Sequence, residues 1–515
     1  MSVASARAVP GPPDAPTAEL SVAGFGAQGE IGGGAVVTRE NPARTAECVG
    51  HITTTNAAGV ASAIGGAETA GRDWRRRPLT ERVELLRSAA RAVAESADAL
   101  APVLARELGK PIADSAGEMI FAAAVIDHVC DRVGEVAADR VIDDAAGRVV
   151  VVREPFGVIS AIVPWNAPLI LSALKVAPAL AAGNTILVKP SPIAPFAVTA
   201  ALRTIAEFLP AGVLSVVHGE AEVGAAMVSH PSVRKVAFTG GASVAHEVLR
   251  GCAEMLTPAT LELGGNDAAV VLEDLSFTDA TMERLVFGAF LTSGQVCMAA
   301  KRLYVPEHRL GEFTEAFTAA AERVLVCGDP LDPEVTIGPV ATAAQRDRVL
   351  GLVRAACSAG ARSTELGRTT SAFDPDSGYF LRPTLVTGAP DESAIITEEQ
   401  FGPTVPVIGY KDLDRAIAAA NDTESGLASS VWSDDVELAF RVGRRLEAGM
   451  TFINSHNRSG MSLRVPFGGV KRSGFGREFG DAGIEEYLQT HALHLPGAIR
   501  DARPSAAPAG NRYPV

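Results

Sequence analysis

Apolar positions recur along this chain with two periods, and the alternation between them predicts its elements. Over residues 75–107, which begin RRRPLTERVELLRSAARAVAE, Val83, Leu86, Ala90 and Val93 fall at helical spacing with charges on the opposite face. An amphipathic helix is expected there, with more helix to about residue 138. Residues 147–163, GRVVVVREPFGVISAIV, are instead rich in β-branched side chains and broken by Pro155 and Gly157, which reads as two strands joined by a turn. From there to about residue 275, apolar runs at 159–163, 185–189, 214–217, 235–239 and 268–272 alternate with helical patterns such as 194–208 and 223–229. That alternation predicts a mostly parallel, doubly wound sheet covered on both faces, the usual setting for a nucleotide site. A second α/β region is expected from about 275 to 460, with helices at 279–291 and 310–326 and strands near 302–305, 405–410 and 429–432. A glycine-rich stretch, PFGGVKRSGFGREFG, follows at 466–480. Before about Asn41 the alternation is not evident.

Composition narrows the function classes. With 47% hydrophobic and 21% charged residues over 515 positions, the chain can bury a large core and has the length of about three domains. Its 60 acidic against 46 basic residues give a net charge of −14, which argues against a nucleic-acid partner. The apolar stretch from Val158 to Leu174 is uncharged and nearly long enough to span a bilayer, but Pro164, Asn166 and Pro168 in its middle would leave backbone groups unsatisfied in lipid. No membrane partner is expected. The start, MSVASARAVPGPPDAPTAEL, lacks the apolar core of an export signal and reads as a disordered extension. Six cysteines, at 48, 130, 252, 297, 327 and 357, form no CxxC pair, so neither a disulfide framework nor a metal site is expected and a reducing, cytoplasmic setting fits.

Five local features can carry chemistry. Cys297, in TSGQVCMAA after a helical stretch, is a nucleophile if nearby backbone N–H groups lower its thiol pKa and stabilise an oxyanion; flanked by Val296 and Met298, it reads equally as a small core residue. Glu262, in TLELGGND between two leucines, has the apolar surroundings that make a carboxylate a base near neutrality, or is an ordinary strand-edge residue. Asn166, in VPWNAPL, offers an amide to a developing oxyanion or simply closes a turn. Lys189 ends the run ILVKPSP, where a cation suits a phosphate or ribose hydroxyl, or snorkels to solvent. FTGGAS at 238–243 is a strand-to-helix turn whose helix N-terminus can receive a pyrophosphate; lacking GxGxxG, it reads as readily as a plain connection.

Taken in order, PWNAP, KPSP, FTGG, LELGG, GQVC, EEQFGP and PFGGVKRSGFGREFG resemble the aldehyde dehydrogenase superfamily, of the NAD(P)-dependent, non-acylating type, from about Asn41 to Tyr487. The resemblance implies an α/β fold with a Rossmann-like cofactor domain at 21–138 and 158–274 and an α/β catalytic domain at 275–480. A small β oligomerisation element is implied at 139–157 and 481–496, hence a homodimer or homotetramer, and residues 1–20 and 497–515 are left as extension and loose tail. It implies Cys297 as nucleophile, Glu262 as general base and Asn166 as oxyanion donor. Ile162, Trp165, Lys189, Ser191, Pro192, Gly240, Gly241, Glu399 and Phe401 are implied to border the cofactor, and no metal is implied.

Motif alignment lines the substrate tunnel with Ala167, Leu171, Leu174, Leu291, Val296, Met298, Met461 and Phe467, a mainly apolar set that suits a medium or bulky hydrophobic aldehyde. Arg458 and Arg464 lie close by in sequence and would serve a semialdehyde, whose carboxylate they could grip. The chain departs from the family in two places. It has FTGGA where FTGST is common, so a serine contact to phosphate is missing at Gly241. It has Pro192 where a glutamate commonly takes the adenosine ribose hydroxyls, so use of both NAD and NADP is expected. A thiol-acylating enzyme would need no base, and a binding or structural protein retaining the fold would be expected to lose nucleophile or base; Cys297 and Glu262 are both present.

Overall fold

The computed structural model describes residues 19–500; of the extension expected at 1–20 and the tail expected at 497–515, residues 1–18 and 501–515 lie outside the described residues, whereas Leu20 begins a strand and Gly497–Arg500 form a short helix. Two large sheets, each packed between helices, organise the chain. The first places strands in the order Gly474–Phe475, Ala259–Glu262, Val233–Thr239, Val158–Ile162, Thr185–Lys189, Leu214–Val216, Leu20–Gly26, Arg44–Thr55 and Gly33–Asn41, with Gly29–Ile31 paired to Leu20–Gly26. Val158–Ile162 is followed in sequence by strands to one side and then by Val233–Thr239 and Ala259–Glu262 on the other, so strand order reverses beside it. Such a reversal opens a crevice at the carboxyl ends of the strands. The parallel register sets Ile162 beside Lys189 and Phe238, and Thr239 beside Glu262, so residues from four strands arrive at that one edge.

The second sheet runs in the order Arg362–Glu365, Thr384–Thr387, Thr404–Tyr410, Ala300–Pro306, Asp267–Val271, Ala428–Trp432 and Met450–Ile453. Here one expectation is corrected: the run at 268–272 continues the first strand series in sequence but belongs to the second sheet, and the chain crosses over just after Glu262. Apolar periodicity identifies a strand without saying which sheet takes it. A second correction concerns residues 20–55, which form four strands, and 57–74, which form the helix Ala57–Trp74. Their mixed polar and glycine content hid the pattern, since much of Gly33–Asn41 is exposed.

The apolar stretch once weighed as a membrane span divides into the strand Val158–Ile162 and the helix Pro168–Ala181, with Pro at the first helical position where its missing N–H costs nothing. No described helix is long and apolar enough to cross a membrane. A third, antiparallel sheet joins Arg140–Asp144, Gly147–Pro155 and Leu488–Pro496, two segments far apart in sequence.

Candidate active site

The carboxyl edge of the first sheet faces the amino end of the strand Ala300–Pro306, and Cys297 sits in the turn that leads into that strand. Immediately before it, Thr292, Ser293 and Gly294 all have left-handed backbones (φ 53°, 55° and 68°), a conformation non-glycine residues hold only when their surroundings impose it. The surroundings are hydrogen bonds: Ser293 Oγ donates to the Gly338 carbonyl at 2.8 Å and the Ala341 N–H donates to Gln295 Oε1 at 2.9 Å. Gly264 and Gly265 complete the cradle. A Cβ at Gly265 would stand 2.7 Å from the Cys297 carbonyl oxygen, and one at Gly264 would collide with the Glu399 carboxylate.

Asn166 is buried and donates one amide N–H to the Gln295 carbonyl at 3.0 Å, which orients the amide beside the Cys297 turn and leaves its second N–H. The Cys297 backbone N–H makes no hydrogen bond among the described residues. The thiol departs from expectation. Burial, and then the charges of Glu399, Glu262 and Asp267, push its pKa up; the Met298 N–H, which donates to the sulfur, acts in the opposite direction and is outweighed. Three carboxylates nearby are the signal that local sequence cannot show.

Glu262 ends its strand with both carboxylate oxygens buried and without a hydrogen-bond partner among the described residues. Burial raises its pKa well above the usual range, the Glu478 charge adds to this, and Lys175 and Arg477 oppose it. A Cβ at Gly468 would stand 2.6 Å from Glu262 Oε1, so the glycine-rich segment approaches the carboxylate as closely as backbone permits. Glu478 and Lys175 form a buried ion pair, with Lys175 Nζ also 2.6 Å from Thr239 Oγ1. Sequence reading missed both. A lone lysine within the otherwise apolar helix Pro168–Ala181 was the available sign.

Toward the crevice, Lys189 is buried, and its ammonium makes no hydrogen bond or ion pair among the described residues; desolvation lowers its pKa against the pull of Glu220 and Glu222. Gly241 caps the helix Ala242–Met255 without a side-chain hydrogen bond, and a Cβ there would meet nothing within 4 Å, so the helix N-terminus is open. Ser191 Oγ accepts the Ile193 N–H at 3.3 Å around the partly buried Pro192. Trp165 stands edge-on to Phe401 with ring centroids 5.5 Å apart, which brings the Glu399–Phe401 segment to the same crevice. Glu399 accepts the Gly265 N–H at 3.2 Å, and burial lifts its pKa to about 7. Ile162 and Gly240 lie at the strand ends beneath them.

Comparison with known proteins decides the family. The family model described as "Aldehyde dehydrogenase family" matches residues 32–493. The chain belongs to the aldehyde dehydrogenase family. It is 36% identical over 476 residues to a glutarate-semialdehyde dehydrogenase of Pseudomonas aeruginosa, covering 92% of this chain and 96% of the relative. It is also 36% identical to a geranial dehydrogenase of Castellaniella defragrans, covering 88% and 94%. A solved structure of a mutant aldehyde dehydrogenase C from Pseudomonas syringae, in complex with NAD+ and octanal, superposes with a TM-score of 0.85 at 31% identity, covering 92% and 96%.

As a member of that family, this aldehyde dehydrogenase is an NAD(P)-dependent oxidoreductase. The recess beside Cys297 encloses about 660 Å³, counting its open mouth, and all eight residues aligned to the tunnel line it: Ala167, Leu171, Leu174, Leu291, Val296, Met298, Met461 and Phe467. Phe121, Ile170 and Phe479 extend the apolar lining. Two cations also reach the wall, and both are engaged. Lys110 pairs with the buried Glu118, and Arg458 Nη2 lies 3.1 Å from Asp114 Oδ1. Arg464 is exposed and is not part of the wall.

Proposed function

We propose that this aldehyde dehydrogenase oxidises an apolar aldehyde to its carboxylic acid with NAD or NADP, through a thiohemiacetal and then a thioester on Cys297. One observation carries the reading: the thiol, an unspent backbone N–H and a held amide meet in one recess, with an unpartnered buried carboxylate in electrostatic reach. The Cys297 thiol gives up its proton to solvent, and attack by its sulfur on the carbonyl carbon places negative charge on oxygen, to which the Cys297 N–H and the second Asn166 N–H are placed to donate. Glu262 then takes a proton from water as that water adds to the thioester, releasing the acid and the thiol.

The cofactor edge fits a dinucleotide. An open helix N-terminus at Gly241 suits a pyrophosphate, and a buried ammonium without a partner at Lys189 suits ribose hydroxyls or a phosphate. When bound, the dinucleotide supplies the hydride acceptor. We assign its binding to the first sheet and its helices, and the nucleophile to the second. Pro192 neither binds ribose hydroxyls nor repels a 2′-phosphate, so both cofactors should work, with kcat/KM values within about a hundredfold, roughly 2.7 kcal/mol. Glu220 and Glu222 are the acids in reach of Lys189 and set what bias toward NAD remains. Pro192→Glu should shift the ratio toward NAD; steady-state kinetics with each cofactor measure this, and an unchanged ratio would refute the role of position 192.

The substrate reading rests on charge. With Lys110 and Arg458 each held by a carboxylate, the recess offers a substrate carboxylate no free cation among the described residues, and the rest of its wall is mainly apolar, Asn166, Thr292, Asn457 and Glu478 being its other polar side chains besides Cys297. The test follows NAD(P)H absorbance with hexanal, octanal, citral, succinic semialdehyde and glutaric semialdehyde. Higher kcat/KM for the apolar aldehydes is expected; preference for the semialdehydes would overturn the charge argument, and no oxidation of any aldehyde would overturn the enzymatic reading.

The third sheet supports self-association. Every residue of Arg140–Asp144 is exposed, Val141 and Ile142 included, and the strand is an open edge of its sheet. An edge of this kind asks for a partner, and a second copy of the chain supplies one. A dimer or tetramer is expected by light scattering at micromolar concentration, against a monomer if these strands serve another purpose.

A further inference from the structure

Beyond the recess lies a second, larger hollow of about 1140 Å³, counting space open to solvent. Buried or partly buried apolar side chains, Phe287, Phe290, Val335 and Ile337, line it together with Asp114, Glu283, Arg284 and Thr336. Leu291 belongs to the walls of both hollows. So does one ion pair, since Arg458 lines the recess and Asp114 the outer basin, 3.1 Å apart. Two chain segments run across both in step: Lys110 faces the recess and Pro111 the basin, while Arg458 faces the recess and Ser459 the basin. The partition is therefore a wall one side chain thick, bridged by that ion pair.

We propose that recess and basin together form one substrate channel, and that the preferred aldehyde carries an elongated, unbranched apolar body whose far end rests on Phe287 and Ile337. This rests on the reading of Cys297 as the reaction centre. Leu291 is the side chain common to both walls, so displacing it joins the two hollows. An extended chain reaches past one displaced side chain where a compact bulky aldehyde would stay inside the recess. The Arg458–Asp114 pair bridges the same partition with its charges paired, so apolar atoms beside it strand no charge.

Straight-chain aldehydes from butanal to dodecanal, each with saturating NAD and with NADP, test this. In the native enzyme kcat/KM should rise by about fourfold for each methylene buried, continuing past octanal. Phe287→Ala removes part of the apolar lining and Ala280→Trp fills the basin from an exposed helix position; each should cut the dodecanal-to-butanal ratio by about tenfold. A rise that stops by hexanal, or a ratio the two variants leave unchanged while butanal is oxidised, would overturn the channel and leave the proposed reaction standing. Oxidation of none of the series would overturn both.

Discussion

Replacing Cys297 by alanine is expected to lower aldehyde oxidation by on the order of 10⁴-fold or more, with the fold and dinucleotide binding retained. In the proposed reaction the sulfur forms the covalent bond, and no other cysteine lines the recess among the described residues. Its side chain is small and only part-buried, so its loss removes little packing, while the left-handed run before it is held by Ser293 and Gln295 and does not depend on the thiol. Binding of NAD or NADP, followed by fluorescence titration, should change little, because Gly241 and Lys189 lie on the other sheet. Oxidation at a native rate would remove Cys297 from the reaction. A lost cofactor affinity or a collapsed thermal transition would make the residue structural instead.

Glu262→Gln is expected to separate the two halves of the reaction. Glutamine keeps the shape but not the basicity, so the thioester should form and its hydrolysis should slow by about 10²- to 10⁴-fold. A burst of NAD(P)H equal to the enzyme concentration, followed by slow turnover, should appear, and mass spectrometry should find the acyl group on the protein. The direction of the pKa shift adds a pH test. A base with a raised pKa loses its active, ionised form as pH falls through that value, so native turnover should decline on the acid side well above the ordinary carboxylate range. In the variant that limb should disappear. Unchanged steady turnover without an acyl adduct would exclude Glu262 as the base.

The candidate residues could be picked out in the sequence because each sits in a short motif whose neighbours are fixed by backbone needs, as LELGG shows. Its two glycines admit the Glu399 carboxylate and the Cys297 carbonyl, and those contacts are why the segment reads as it does. The tunnel wall was likewise recoverable by alignment. What stayed hidden depends on distance in the chain. The rise in the Cys297 pKa comes from carboxylates at 262, 267 and 399, and the Lys175–Glu478 pair joins residues 303 positions apart. The four strands between residues 20 and 55 escaped because their exposed residues blur the period-two signal, and Asp267–Val271 was found as a strand but not placed in its sheet. The Arg458–Asp114 pair, 344 positions apart, decides whether a cation is free to meet a substrate, and nothing local encodes it.

The strand Gly474–Phe475 closes the outer edge of the first sheet against Ala259–Glu262, with Glu262 opposite Gly474. During synthesis, therefore, that edge stays unpaired for some two hundred residues after it emerges from the ribosome. Gly468, against Glu262, and Glu478, the partner of Lys175, arrive in the same late stretch. A nascent or C-terminally shortened chain ending before residue 474 thus has the thiol and the carboxylate but not the surroundings that tune them. It also bares a strand edge to neighbouring chains. The surroundings of the candidate site and protection from aggregation are acquired together, once residues 468–478 have been made.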